Sequence, residues 1–238
     1  MSSSFNNKIL LSISNKLRQP LSSIIESITL LGETKLSSMQ TNLLDDLYNS
    51  SYKILSTTNN LIDIVNLSNN QLNLTKKNIE VKTCIEEIMT MVNQSIMKDI
   101  TVKYKIKSNI PDHIKVDCDR IKQILLNLIN NSINHMDDGF IMITIEIFEK
   151  DKNNSPYEHI EPESPKKNIL FKVHDTGCGI KNKSYVESIL NLKDIDKLDS
   201  SGFSLWISKE LCKLMGGNIW FVSCPNEYTN FYFNVITD

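Results

Sequence analysis

The sequence predicts an α+β protein: an N-terminal antiparallel helical hairpin that dimerises into a four-helix bundle, followed by an α/β sandwich. Three observations predict it. Only Gly32 precedes residue 139 among the seven glycines, so the front of the chain is built of long regular elements. Apolar residues in that region recur at every third or fourth position. Beyond about residue 76 helical periods are interspersed with two-residue alternation, the mark of helices layered on strands. The expected domains are residues 1–75 and 76–238.

The first helix carries Ile9, Ile13, Leu17, Leu21, Ile24, Ile28 and Leu31, and Gly32 ends it. A second series, Leu44, Leu47, Ser51, Ile54, Thr58, Leu61 and Val65, approximates a heptad, with Tyr48, Leu55 and Ile62 widening the stripe. One hairpin cannot bury two such stripes, so the front of the chain predicts a homodimer. Packing of the stripes against the rest of the same chain is the alternative. Val81–Met97 reads as a helix, Thr101–Ile106 as a strand, and Asp119–Ile133 as a strongly periodic helix with Asp119 as its N-cap. Phe140–Phe148 and Ile169–Val173 alternate as strands around a solvated loop, Lys150–Lys167. Leu205–Met215 is a helix stopped by Gly216 and Gly217, and Trp220–Val222 and Phe231–Ile236 are strands of a mostly antiparallel sheet.

Composition narrows the function. Lys plus Arg (26) nearly balances Asp plus Glu (28), which removes any global electrostatic case for nucleic acid or an anionic membrane. No run approaches the length of a membrane span, and the start MSSSFNNK lacks the apolar core of an export signal. Cys84, Cys118, Cys178, Cys212 and Cys224 are odd in number and widely spaced, which argues against a disulfide framework and a thiolate metal site. A reducing, cytosolic location is expected. The chain has no alanine and only two arginines, Arg18 and Arg120, amid many Asn, Ile and Lys residues. Such a bias follows from AT-rich coding as readily as from physical need.

Three segments carry chemistry. In Gln123–Ser132, Asn127 and Asn131 stand one helical turn apart and project from one face. A carboxamide oxygen is a neutral, hard ligand suited to Mg²⁺ that is otherwise held by phosphates and water; a solvated Asn pair is the alternative. In Phe171–Ile180 a strand delivers Asp175, and Gly177 and Gly179 let the backbone pass close to a ligand. An Asp there can accept a hydrogen bond from an exocyclic amine, as adenine would offer. In Gly202–Gly217 a glycine opens a helix whose N-terminus suits phosphate.

In this order and spacing the segments resemble the transmitter region of sensor histidine kinases, a dimerisation hairpin followed by an ATP-binding domain shared with gyrase-like ATPases. Gln123–Ser132 resembles the family's Gln-Ile-Leu-x-Asn-Leu-x-x-Asn-Ala box and Asp175–Ile180 its Asp-x-Gly-x-Gly-Ile box. Gly202–Gly217 resembles the Gly-Leu-Gly-Leu-x-Ile box and the helix after it. The resemblance covers essentially the whole chain. It implies binding of ATP or ADP with Mg²⁺ by Asn127, Asn131, Asp175, Gly177, Gly179, Ile180, Gly202 and Leu205, with Asn131 meeting the metal through the nucleotide.

Departures from the family pattern qualify the activity. Ser14-Asn15-Lys16-Leu17-Arg18-Gln19-Pro20-Leu21 aligns with Ser-His-Glu-Leu-Arg-Thr-Pro-Leu, so Asn15 stands where the resemblance implies the phosphoacceptor His, and Lys16 replaces the adjacent Glu. A carboxamide nitrogen is neither basic nor nucleophilic and cannot carry a phosphoryl group as an imidazole can. None of the four histidines (His113, His135, His159, His174) lies on the hairpin. The family's phosphate-holding Lys or Arg aligns with Asn134, the loop Ser200-Ser201-Gly202-Phe203-Ser204-Leu205 keeps one of three glycines, and Lys181–Ser201 reads as a shortened lid. The expectation is a pseudokinase with weak nucleotide binding, a dimeric scaffold or regulator acting on a response-regulator receiver or another histidine kinase. One alternative is a phosphatase of a phosphorylated receiver in which Gln19 orients water; another is a residually active kinase.

Overall fold

The computed structural model describes residues 2–69, 71–95, 98–148, 166–192 and 202–237. Most of the solvated loop expected over 150–167 and the end of the expected lid, with Ser200 and Ser201, lie outside the described residues. The chain forms two compact units that divide between Leu72 and Asn73.

The first unit is a hairpin of α1 (Ser2–Gly32) and α2 (Ser38–Ser68). Its turn is closed by Ser37, whose side chain accepts from Gln40 N while the Gln40 side chain accepts from Ser37 N at 2.9 Å. This reciprocal cap satisfies two amides that a helix start leaves without intrahelical partners. Arg18 on α1 donates twice to Asn59 on α2, at 3.2 and 2.8 Å. The apolar stripes divide between two surfaces. Leu21, Ile28 and Val65, with Ser14, Ser51 and Thr58, are buried within the hairpin. Ile13, Leu17, Ile24, Leu31, Leu47 and Ile54 stay exposed.

The second unit layers helices on a five-stranded sheet of order β2-β4-β5-β7-β6. Its strands are β2 (Asp99–Ile106), β4 (Asp138–Ile147), β5 (Asn168–Asp175), β6 (Ile219–Cys224) and β7 (Tyr228–Ile236). Beta2 and β4 run parallel and the other pairs are antiparallel. A separate two-stranded sheet pairs β1 (Lys77–Glu80) with β3 (His113–Val116). The sequence reading missed both short strands, because four residues give too little alternation to register.

Helices α3 (Val81–Ser95), α4 (Cys118–Asn134) and α6 (Phe203–Leu214) bring apolar faces to the core. Ile121, Ile124, Leu125, Leu128 and Ile129 of α4 are fully enclosed, as are Ile143, Phe171 and Phe233 from the sheet. The Phe171 and Phe233 rings stack at 4.7 Å across the β5–β7 register pair. Helix α6 ends as its glycines require: Gly216, at φ +76°, donates to Lys213 O, and Gly217 donates to Cys212 O.

Two sequence expectations need correction, on the N-cap of α4 and on the cysteines, and one segment gains detail. The N-cap of α4 is Asp117, not Asp119; Asp117 accepts from Arg120 N at 3.2 Å and Asp119 sits in the first turn. The expected lid contains a helix, α5 (Lys183–Asn191), capped by Asn182, which accepts from Tyr185 N at 3.1 Å. Cys84 of α3 and Cys118 of α4 form a disulfide, while Cys178, Cys212 and Cys224 are free. A separation of 34 residues says nothing about two helices that pack side by side and bring these Cα atoms to 6.7 Å.

Candidate nucleotide site

The site is built where α4 crosses the end of β5. Sheet register sets its floor. Asp175 of β5 is the register partner of Thr229 on β7, and Thr229 is the partner of Ser223 on β6. Paired residues in a sheet face the same side, so these three polar groups form one rung on the helix-covered face. All three are buried. The rung behind it, Val173, Phe231 and Phe221, is apolar.

A buried carboxylate needs donors, and Asp175 has two. Ser132 of α4 donates to Oδ2 at 2.8 Å, and the Gly177 amide donates to Oδ1 at 3.1 Å. Ser223 donates to the Tyr228 carbonyl at 2.9 Å and accepts from Ile180 N at 2.8 Å. Its hydroxyl also lies 3.2 Å from Thr229 Oγ1, a contact in which either oxygen can donate. The Asp175 carboxylate, which accepts only when ionised, is the member of the rung suited to an amino group.

The loop after β5 hugs this floor. Gly177 lies so close to the end of α4 that a Cβ there would stand 3.1 Å from His135 O. Gly179 has φ +63°, and a Cβ on it would come 2.2 Å from Cys224 O. Cys178 O accepts from Asn226 N at 2.7 Å, which ties the loop to the β6–β7 turn. The end of α4 is itself closed by Lys98, which donates to Ile133 O at 2.9 Å and to Met136 O at 2.8 Å.

Asn127 and Asn131 of α4 differ. Asn127 is turned to α6, its amide donating to Ser204 O at 3.2 Å and Ser208 Oγ at 3.1 Å. It therefore joins two helices, a role its spacing did not suggest. Asn131 is half-buried, its side chain has no hydrogen bond to another described residue, and a carboxamide oxygen is a ligand type that could hold a phosphate-bound Mg²⁺. Asn134 is exposed at the end of α4. Gly202 is the N-cap of α6 and contributes no side-chain cap, while Leu205 is buried in the core. Ile180 reaches the site through its backbone amide. Lys209 of α6 is buried and donates to Leu192 O; burial holds its ammonium below the usual lysine range.

The structure thus brings Asp175, Gly177, Gly179, Ile180 and α4 together, and joins α6 to them through Asn127. Gln19 is exposed on α1 in the other unit, and Asn15 lies within α1 with its side chain outside the described set. Sequence reasoning missed Ser132, Thr229 and Ser223. Ser132 was legible as the one departure from alanine in the Asn box; the other two depend on sheet register.

Residues 116–237 match the model of the histidine kinase-, DNA gyrase B- and HSP90-like ATPases. The chain belongs to this family. Among histidine kinases of the family, the signal transduction histidine-protein kinase BarA of Escherichia coli is 27% identical over 238 residues, covering 98% of this chain and 25% of BarA. Hybrid signal transduction histidine kinase B of Dictyostelium discoideum is 29% identical over 216 residues, covering 88% of this chain and 10% of that protein. The chain therefore spans a tenth to a quarter of these relatives. Full-length ShkA, solved in complex with AMPPNP, superposes with a TM-score of 0.64 at 22% identity, covering 96% of this chain and 45% of ShkA. The histidine kinase AdeS of Acinetobacter baumannii superposes at 0.58 with 18% identity, covering 91% and 95% of the two chains. The chain has the fold of a sensor histidine kinase transmitter region, with both the hairpin and the ATPase-type unit present.

The Ser132–Asp175 bond generates a prediction that needs no ligand. Ser132→Ala is expected to destabilise residues 73–238 by about 1.5–3 kcal/mol, the range for a hydrogen bond to a buried charged group. Chemical denaturation at neutral pH measures it.

Proposed function

We propose that this chain is a two-component signalling module of histidine kinase type that has lost autokinase chemistry and acts as a homodimer. It serves as scaffold or regulator for a receiver domain or a partner histidine kinase. The observation that carries this reading is Asn15, in α1 at the phosphoacceptor position, with Lys16 beside it and no histidine on the hairpin. The exposed row Leu17, Ile24, Leu31, Leu47 and Ile54 supports dimerisation, since a second hairpin would cover it.

The ATPase-type unit binds an adenine nucleotide weakly in this reading. Asp175 takes the exocyclic amine, and Asn131 holds Mg²⁺ through the phosphates. Without a cation at Asn134 the grip on phosphate loses about 1.5–3 kcal/mol, a factor of roughly 10–150. A second reading, phosphatase action on a phosphorylated receiver, is favoured by Gln19, which is exposed on α1 next to Arg18, itself held to Asn59. A carboxamide there orients water without needing the missing histidine.

Three outcomes are expected. Incubation with radiolabelled Mg-ATP leaves no acid-labile phosphate on the chain, and Asn15→His alone restores little; rapid labelling of the unmodified chain would remove the pseudokinase reading. Faster loss of phosphate from an added phospho-receiver, abolished by Gln19→Ala, would establish the phosphatase instead. Light scattering at micromolar concentration gives a dimer, and Ile24→Asp shifts it to monomer. In calorimetry ATP and ADP bind with similar, weak affinity, GTP does not bind, and Asp175→Ala abolishes binding.

A further inference from the structure

The cysteines are not used by the nucleotide site, and two of them are joined. Cys84 lies on α3 and is buried; Cys118 is the first residue of α4 and is partly exposed. Their Cα atoms are 6.7 Å apart, within the span a disulfide bridges without moving the backbone. The other three thiols are free, and Cys212 is enclosed in the core, where burial suppresses its thiolate.

We propose that Cys84 and Cys118 form a thiol–disulfide exchange site whose oxidant is a small disulfide of the glutathione class. Accessibility assigns the order of steps. The Cys118 thiolate, which solvent reaches, attacks one sulfur of oxidised glutathione; the glutathione S–S bond breaks and one glutathione thiolate leaves and takes a proton. Cys118 now carries a mixed disulfide. Cys84, giving its proton to solvent, attacks the Cys118 sulfur from inside, and the second glutathione leaves as a thiol. Two protein thiols are oxidised to one disulfide and one small disulfide is reduced to two thiols. Excess reduced glutathione runs the same steps backward.

The site sits at a joint of the second unit. Asp117, beside Cys118, caps α4 with one carboxylate oxygen and with the other accepts from Thr75 N at 2.7 Å, on the segment that opens the unit. The disulfide therefore pins α3 to the end of α4 that also anchors this segment. Disulfides inside reducing compartments are commonly transient and redox-sensing, and a pair placed at such a joint suits that use.

The test uses the full chain. It is reduced, freed of reductant, exposed to oxidised glutathione, alkylated and digested with trypsin. The expected product is a cross-linked pair of peptides, residues 83–98 and 116–120, that separates on reduction. Cys84→Ser should retain glutathione on Cys118, whereas Cys118→Ser should leave Cys84 unmodified because it is buried. The oxidised parent should melt at a higher temperature than the reduced parent, and the difference should vanish in Cys84→Ser, which keeps Cys178 and Cys224 as internal controls. Recovery of both Cys84 and Cys118 as alkylated thiols from the parent overturns the proposal. So does glutathione stably held on Cys118 of the parent with no cross-link. The parent's peptide map decides the matter without any variant having to fold.

Discussion

The carboxylate of Asp175 is the constraint around which the second unit is arranged. A charge at the buried end of a strand costs several kcal/mol unless donors surround it. The donors here come from two directions: the Ser132 hydroxyl from α4 above and the Gly177 amide from the loop that follows. Meeting the first demand fixes where α4 lies on the sheet. Meeting the second bends the chain sharply after β5, which brings Gly177 and Gly179 against α4 and the β6–β7 turn. The hydrogen-bond chain from Ile180 through Ser223 to Thr229 completes the rung beside it.

Helix α4 transmits this arrangement. Its buried face is mainly apolar, with Ile124, Leu125, Leu128 and Ile129 enclosed. The polar residues that interrupt this face each reach a different element: Asn127 reaches α6, Ser132 reaches β5, and Asp117 reaches the segment at Thr75. A single helix thus sets the surroundings of Asp175, the position of α6 and the entry of the chain. The disulfide joins this helix to α3 at its first residue.

The hairpin shows the opposite economy. The turn has a full capping box, Arg18 bridges the helices, and an apolar row is exposed. Its sequence departs from the family pattern at Asn15, Lys16 and Gln19. A carboxamide at position 15 offers neither the nucleophile nor the base that an imidazole would.

The sequence by itself determined the two-unit plan and its elements. Period and glycine placement identified α1, α2 and α4, and motif spacing identified Asp175, Gly177 and Gly179, because these signals are local to the chain. It also put Asn15 at the position where the family pattern has its His, since a side chain's identity needs no coordinates. Tertiary structure alone decided which residues meet. Ser223, Thr229 and Asp175 come from strands far apart in the chain, and only sheet register makes them one rung. Asn127 looked like a partner of Asn131, yet the packing of α6 turns it into a helix clamp. Cys84 and Cys118 looked like stray thiols until α3 lay against α4. Local pattern specifies an element and the face it buries; contacts between elements depend on how those faces pack, which no spacing along the chain records.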